Sequence, residues 1–234
     1  MLLAELEALE DLHLWRTLKL SPGLVEFLYA ARYHVSVPCT NFHPDFSKIT
    51  VVQTNESKLK ERDPFLAFTR LMVESTSHVL AAQKDKTELC FVVQPLSDFW
   101  SACTQLRSQL TFLRIKYPLD IEAVPVDGAP ASLRATATVL FPSIKSKALI
   151  SYIFDWDTYS RWPLAIDGVK CDVKVAYGSA EYVDPFISRK PAANWSNSRE
   201  KILNAVLDRL SQATPSENHG CLLDACIEGA EQFA

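Results

Sequence analysis

The sequence predicts an α+β protein built as two successive units, each an antiparallel sheet flanked by helices. Three observations carry this. Residues 94–117, QPLSDFWSACTQLRSQLTFLRIKY, repeat their apolar side chains at helical spacing over about six turns, with Leu96, Phe99, Trp100, Cys103, Leu106, Leu110 and Leu113 on one face. Strand-like runs lie on both sides of that helix. After a charged break at residues 84–88, the order of helix, strands and helix returns. The expected boundaries are the end of a coiled coil or a first helix at 1–14, a first unit at 15–87, a second at 88–212 and a tail helix within 213–234.

Taken in order, MLLAELEALEDLHLW places Leu2, Leu6 and Leu9 four and three residues apart, with His13 next. That is the seam spacing of a coiled coil, and a short amphipathic helix fits it equally. Residues 15–20 read as extended, and Ser21-Pro22-Gly23 supplies turn chemistry. Strands are expected at 24–29 and 33–37, the second alternating Tyr33, Val35 and Val37 with Arg32, His34 and Ser36. Ala30-Ala31 is poor turn chemistry, so one long strand is the alternative. PCTNFHP, bounded by Pro38 and Pro44, reads as irregular, residues 47–53 as a fourth strand and 55–62 as a polar loop. Asp63 caps, and Pro64 opens, a helix to about residue 83 that aligns Phe65, Phe68, Leu71, Met72, Ser75 and Val79.

In the second unit Pro95 fits a first helical turn, and Tyr117-Pro118 ends the central helix because a residue before proline leaves the α region. Strands follow at 119–126, 132–141, 148–154 and 169–177, with a turn at Asp127-Gly128-Ala129-Pro130. An amphipathic helix is expected at 198–210, and beyond Pro215, Asn218 and Gly220 a short helix carries Leu222, Leu223, Cys226 and Ile227. Such an apolar tail must dock.

With 234 residues, 48% hydrophobic and 22% charged, the chain can bury a core without a disulfide or metal. The net charge of −4 argues against a nucleic-acid partner. No apolar run approaches the ~20 residues of a membrane span, and no basic start with a cleavage site is seen, so an intracellular protein without a membrane segment is expected. Cys39, Cys90, Cys103, Cys171, Cys221 and Cys226 show no C-x-x-C spacing and read as reduced, mostly buried thiols.

Catalytic signals are sparse. Cys39 lies between His34 and His43, a weak nucleophile-and-base pattern, and His219, Cys221 and Cys226 match no familiar zinc spacing and lack a fourth ligand. No G-x-S-x-G, phosphate-cradling glycine loop or H-E-x-x-H occurs, so neither cofactor nor metal is expected. The densest feature is YIFDWDTYSRWP at 152–163, where Trp156, Tyr159 and Trp162 flank Arg161. Aromatics with an arginine are the material of binding hot spots, although tryptophans at such a connection also plug a domain's own core.

The stretches WRTLKLSPGLVEFLYAARYHVSVPCTNF, DFWSACTQLRSQLTFLRIKYPL, and ATVLFPSIKSKALISYIFD with KCDVKVAYG together resemble the C-terminal region of the large outer-kinetochore scaffold, the blinkin or kinetochore-null family, in its fungal form. The likeness runs in order from about residue 12 to 210. The Tyr-Pro-x-x-x-Pro signature of many RWD domains is absent, since Tyr117-Pro118 is followed by Pro125 at the wrong spacing. The resemblance implies two tandem RWD domains and a nuclear, kinetochore-bound scaffold without catalysis. It further implies docking onto the MIND complex of the KMN network through a subunit tail, in support of chromosome segregation and spindle checkpoint signalling. A coiled-coil partner similar to Zwint would engage the segment upstream of residue 14. The residues expected to hold the tail are Tyr29, Tyr33, Phe42, Trp100 and Arg107, in a groove where the central helix meets the first sheet, with Trp156, Tyr159 and Trp162 as the second choice. Two readings compete: a ubiquitin-conjugating-like domain, which shares the RWD layout and would use Cys39 in VPCTNFHP, and a coiled-coil heterodimerisation module.

Overall fold

The computed structural model describes residues 14–54, 63–141, 146–177 and 193–232. The N-terminal leucine repeat and the polar loop at 55–62 lie outside the described residues. The chain divides into two compact units, 1–97 and 98–234, and the division falls inside a long helix; the charged break at 84–88 belongs to the first unit.

In the first unit β1 (Trp15–Ser21), β2 (Leu24–Tyr29) and β3 (Tyr33–Thr40) form an antiparallel meander, and β3 also pairs with β4 (His43–Pro44) and β5 (Thr50–Gln53). Ala30-Ala31 is a turn and not part of one long strand: Tyr29 pairs with Tyr33, and Arg32 N–H bonds Tyr29 O at 2.9 Å. Both alanines have positive φ, 50° and 54°. Neighbours hold the turn in place of glycine. Ala30 N–H bonds Leu14 O at 2.6 Å, and Thr54 N–H bonds Arg32 O at 2.7 Å. The segment expected to be irregular is instead a second hairpin, in which β3 runs through Pro38 to Thr40 and turns over Asn41-Phe42, at φ 50° and 65°, into β4. Cys39 N–H bonds Gly23 O at 2.9 Å, which places Pro38 opposite Leu24 at a position where the ladder to β2 needs no donor. β5 begins only at Thr50, because Asp45 holds the preceding residues in a turn by accepting from Ser47 N–H at 3.2 Å.

Helix α1 (Leu66–Ala81) starts two residues after the Asp63-Pro64 pattern, with Asp63 accepting from Phe65 N–H and Thr69 Oγ1, each at 2.9 Å. Its Phe68, Leu71 and Met72 are buried, as are Val25, Val35 and Val37 on one face of the sheet. Helix α2 (Cys90–Lys116) begins four residues before the start expected from Pro95, which therefore lies inside the helix rather than in its first turn. The apolar stripe extends upstream through Val92, and burial of that side chain offsets the bond the proline removes.

In the second unit β6 (Leu119–Val126), β7 (Ala129–Phe141), β8 (Ser146–Phe154) and β9 (Lys170–Tyr177) follow one another as an antiparallel meander. One face is the core: Leu133, Ala135, Ala137 and Val139 of β7 and Ala148, Ile150, Tyr152 and Phe154 of β8 are buried. So is every residue of the α2 stripe from Phe99 to Leu113 named above. A one-turn helix α3 (Trp156–Tyr159) follows β8, and α4 (Ala193–Ser211) and α5 (Cys221–Glu231) pack on each other. Their contact is close: a Cβ on Gly229 would stand 2.7 Å from Val206 Cγ2.

Candidate functional site

The aromatic corner at 152–163 is built on an N-cap. Asp155 Oδ1 accepts from Thr158 N–H at 3.1 Å and from Thr158 Oγ1 at 2.7 Å, which starts α3. The Thr158 hydroxyl first, and Lys170 at 3.6 Å among the lesser causes, holds the Asp155 carboxyl below its ordinary value. One turn of helix aims Tyr159 inward, where its hydroxyl donates to Ala131 O at 2.7 Å and its ring lies 6.4 Å from Phe99. Trp156 is half-buried, edge-on to Tyr159 at 5.5 Å and 5.7 Å from Phe99. Trp162 is 49% exposed. Arg161 pairs with Asp157 at 3.1 Å, and both side chains are open to solvent, so the pair adds little. The corner is thus a core plug with one aromatic ring at the surface.

The five first-choice residues fall in both units, Tyr29, Tyr33 and Phe42 in the first and Trp100 and Arg107 in the second. Tyr29, Tyr33 and Trp100 are buried, Arg107 is half-buried, and Phe42 is 43% exposed at the tip of the β3–β4 hairpin. Among the eight residues the ones that present an aromatic face to solvent are Phe42 and Trp162. Sequence alternation already put Tyr33 on an inner face; the count of aromatics alone could not separate anchors from core.

The thiols carry no sign of activation. Cys39 Sγ donates to Val37 O at 3.3 Å, and burial pushes its pKa above the usual 9.0. His34 faces Glu26 at 3.6 Å and His43 Nδ1 lies 3.1 Å from Thr87 O. A nucleophilic cysteine needs the opposite shift. Cys221 bonds Asn218 O at 3.1 Å, and Cys226 is buried with its pKa raised to about 12. Among the described residues no His, Cys, Asp and Glu group has a geometry that could hold a metal.

Two buried glutamines were not singled out in the sequence. Gln105 Oε1 accepts from Leu164 N–H at 3.3 Å. Gln109 donates from Nε2 to Asn218 O at 2.6 Å and accepts at Oε1 from Leu222 N–H at 3.3 Å, so one side chain fastens the start of α5. The signal available was two amides four residues apart in the apolar stripe of α2.

Residues 2–107 match the family model of the Knl1 RWD C-terminal domain. No curated protein matches the chain. The matched residues take in the first sheet, α1 and α2 as far as Arg107, and a mixed fold of two antiparallel sheets with helices is consistent with an RWD-type architecture. That family is a non-catalytic, kinetochore-related module for protein interaction. Over residues 2–107, therefore, the chain is similar to the C-terminal RWD region of the Knl1, or blinkin, family.

Proposed function

We propose that the chain is a non-enzymatic docking module of the outer-kinetochore scaffold, in which two tandem RWD domains hold a subunit tail of the MIND complex within the KMN network. The match of residues 2–107 to the Knl1 RWD C-terminal domain carries this reading, and the second sheet with its helices in unit 98–234 supports a tandem arrangement. The module works in the nucleus at the kinetochore, in chromosome segregation and spindle checkpoint signalling. A coiled-coil partner similar to Zwint engages the segment upstream of residue 14.

Exposed aromatics are the natural anchors of such a module, since they bury large area at low entropic cost, and this points to Phe42 and Trp162. Tyr33 and Trp100 support the fold beneath. Calorimetric titration of the chain with purified MIND complex is expected to show binding. Phe42→Ala or Trp162→Ala is expected to weaken it by about tenfold, with the melting temperature kept. Tyr33→Ala and Trp100→Ala are expected instead to lower stability by about 3–5 kcal/mol. Failure of the parent chain to bind the complex or any of its separate subunits would overturn the proposal.

A further inference from the structure

The sheet of the second unit has two unlike edges. Along β9 the backbone is engaged from the side: Arg199 of α4 donates its Nε–H to Val173 O at 2.8 Å and its Nη2 to the Asp172 carboxylate at 2.9 Å. β6 is the opposite end of the strand order, and among the described residues its outer side pairs with no strand.

The register tells which groups face outward there. Thr138 N–H bonds Pro118 O at 2.9 Å, which sets the alternation of the β6–β7 ladder. Asp120 and Glu122 turn their backbone groups toward β7, while Leu119, Ile121 and Ala123 turn theirs away from it. Side chains alternate in the other sense. Leu119, Ile121 and Ala123 stand opposite the buried Ala137, Ala135 and Leu133 and so share the core face, whereas Asp120 and Glu122 lie on the outer face. Leu119 and Ile121 are half-buried, with apolar surface left at the rim. The last turns of α2, which lead directly into β6, leave Phe112 and Ile115 42% and 76% exposed and one turn apart.

We propose that the β6 edge receives an extended peptide strand of alternating apolar and basic residues, added antiparallel or parallel to the sheet. This deepens the docking reading and rests on it, because it names the chemistry of a tail the module would hold. The added strand's backbone bonds the outward groups of Leu119, Ile121 and Ala123. Its apolar side chains meet Leu119 and Ile121, and its basic side chains come within about 5 Å of Asp120 and Glu122. Charge selects the occupant. Glu122 is already bonded to Arg134 at 2.8 Å, so Asp120 carries the larger share, and Lys147, Lys170 and Lys174 lie on the strands farther from this edge. A second copy's β6 would set carboxylate against carboxylate, and Pro125 removes the next donor, so the edge resists self-pairing while it admits a basic strand.

The test uses the full chain, isotope-labelled and titrated with short capped peptides of alternating valine and lysine, alternating valine and glutamate, and a block sequence with the valine–lysine composition. The valine–lysine peptide is expected to bind, to slow exchange of the Leu119, Ile121 and Ala123 amides, and to weaken as salt rises from about 50 to 500 mM. The other two are expected to bind at least about tenfold more weakly. Ala123→Pro removes an outward N–H and no β6–β7 bond, and is expected to cost about tenfold. Asp120→Lys with Glu122→Lys keeps every backbone group and is expected to reverse the peptide preference. An unchanged preference in that double variant, amide changes that map away from β6, or a doubled mass that peptide does not compete away would each overturn the proposal. The parent and Ala123→Pro are also assayed against MIND complex. No binding by the parent overturns the docking reading and leaves the peptide result to judge the edge; equal binding by both overturns the edge's part in docking.

Discussion

Ala31 stands at φ 54° beside Ala30 at 50°, and Phe42 at 65°, in turns where glycine is the residue without a steric penalty. The sequence leaves the first turn open against one long strand and gives no sign of the second, because no glycine marks either; the bonds from Leu14 and Thr54 that impose the first are distant in the chain. Ala31→Gly is expected to raise stability by about 0.5–1 kcal/mol, read as a higher urea midpoint at unchanged slope, since relief of the left-handed strain exceeds glycine's added chain entropy. Thiols are the other property decided at single residues. Burial raises Cys171 and Cys226 to about 12, and all six cysteines are free. Their folded values lie above the ordinary 9.0, so their contribution to stability is whole below pH 9.0 and is lost as pH rises from there through about 12. Alkylation near neutral pH is expected to mark exposed Cys90 first, and buried Cys103 and Cys226 only on unfolding; rapid labelling of Cys39 under the same conditions would revive a thioester-forming role.

At the scale of elements, periodicity located most of what is there. The stripe of α2, the alternation of β3 and the bounds of β6 were all legible, because each buries one face and repeats over several residues. Proline misleads where it is read alone. Pro95 reads as a start and Pro38 as a break, yet one lies within a helix and the other within a strand, at sites where tertiary packing or ladder geometry tolerates the missing donor. The tail helix was legible as apolar, but its partner was not. Gly229 supplies the fit of α5 on α4, with Ile202 Cγ2 at 3.2 Å and Val206 Cγ2 at 2.7 Å from where a methyl group would stand. Gly229→Ala is expected to destabilise the chain by about 1–3 kcal/mol, and Val206→Ala in the same chain to recover part of the loss, measured as a double-mutant cycle in urea. Additive losses would show that the two residues do not meet.

Over the whole molecule, composition and spacing showed two sheets with helices; the boundary they suggest, after residue 87, and the division of the compact units, after residue 97, differ because the apolar stripe of α2 does not change character along its length. The candidate anchors were legible only as a set of aromatics, since burial is decided by which residues fold over them. The longest-range constraint of this kind rests on Gln109, whose one side chain closes sequence gaps of 109 and 113 residues to Asn218 and Leu222. Exchange of its nitrogen for oxygen, Gln109→Glu, would make that clasp answer to acid. A carboxyl group in this dry position keeps its proton well above pH 4, and the protonated form can still give a hydrogen to Asn218 and take one from Leu222. Once ionised it sets oxygen against oxygen. Protection of the α5 amides against hydrogen exchange, taken relative to the unfolded chain at each pH, is therefore expected to be high in mild acid in that variant and to fall as pH climbs past the free glutamate value of about 4.3, while the parent's protection stays level.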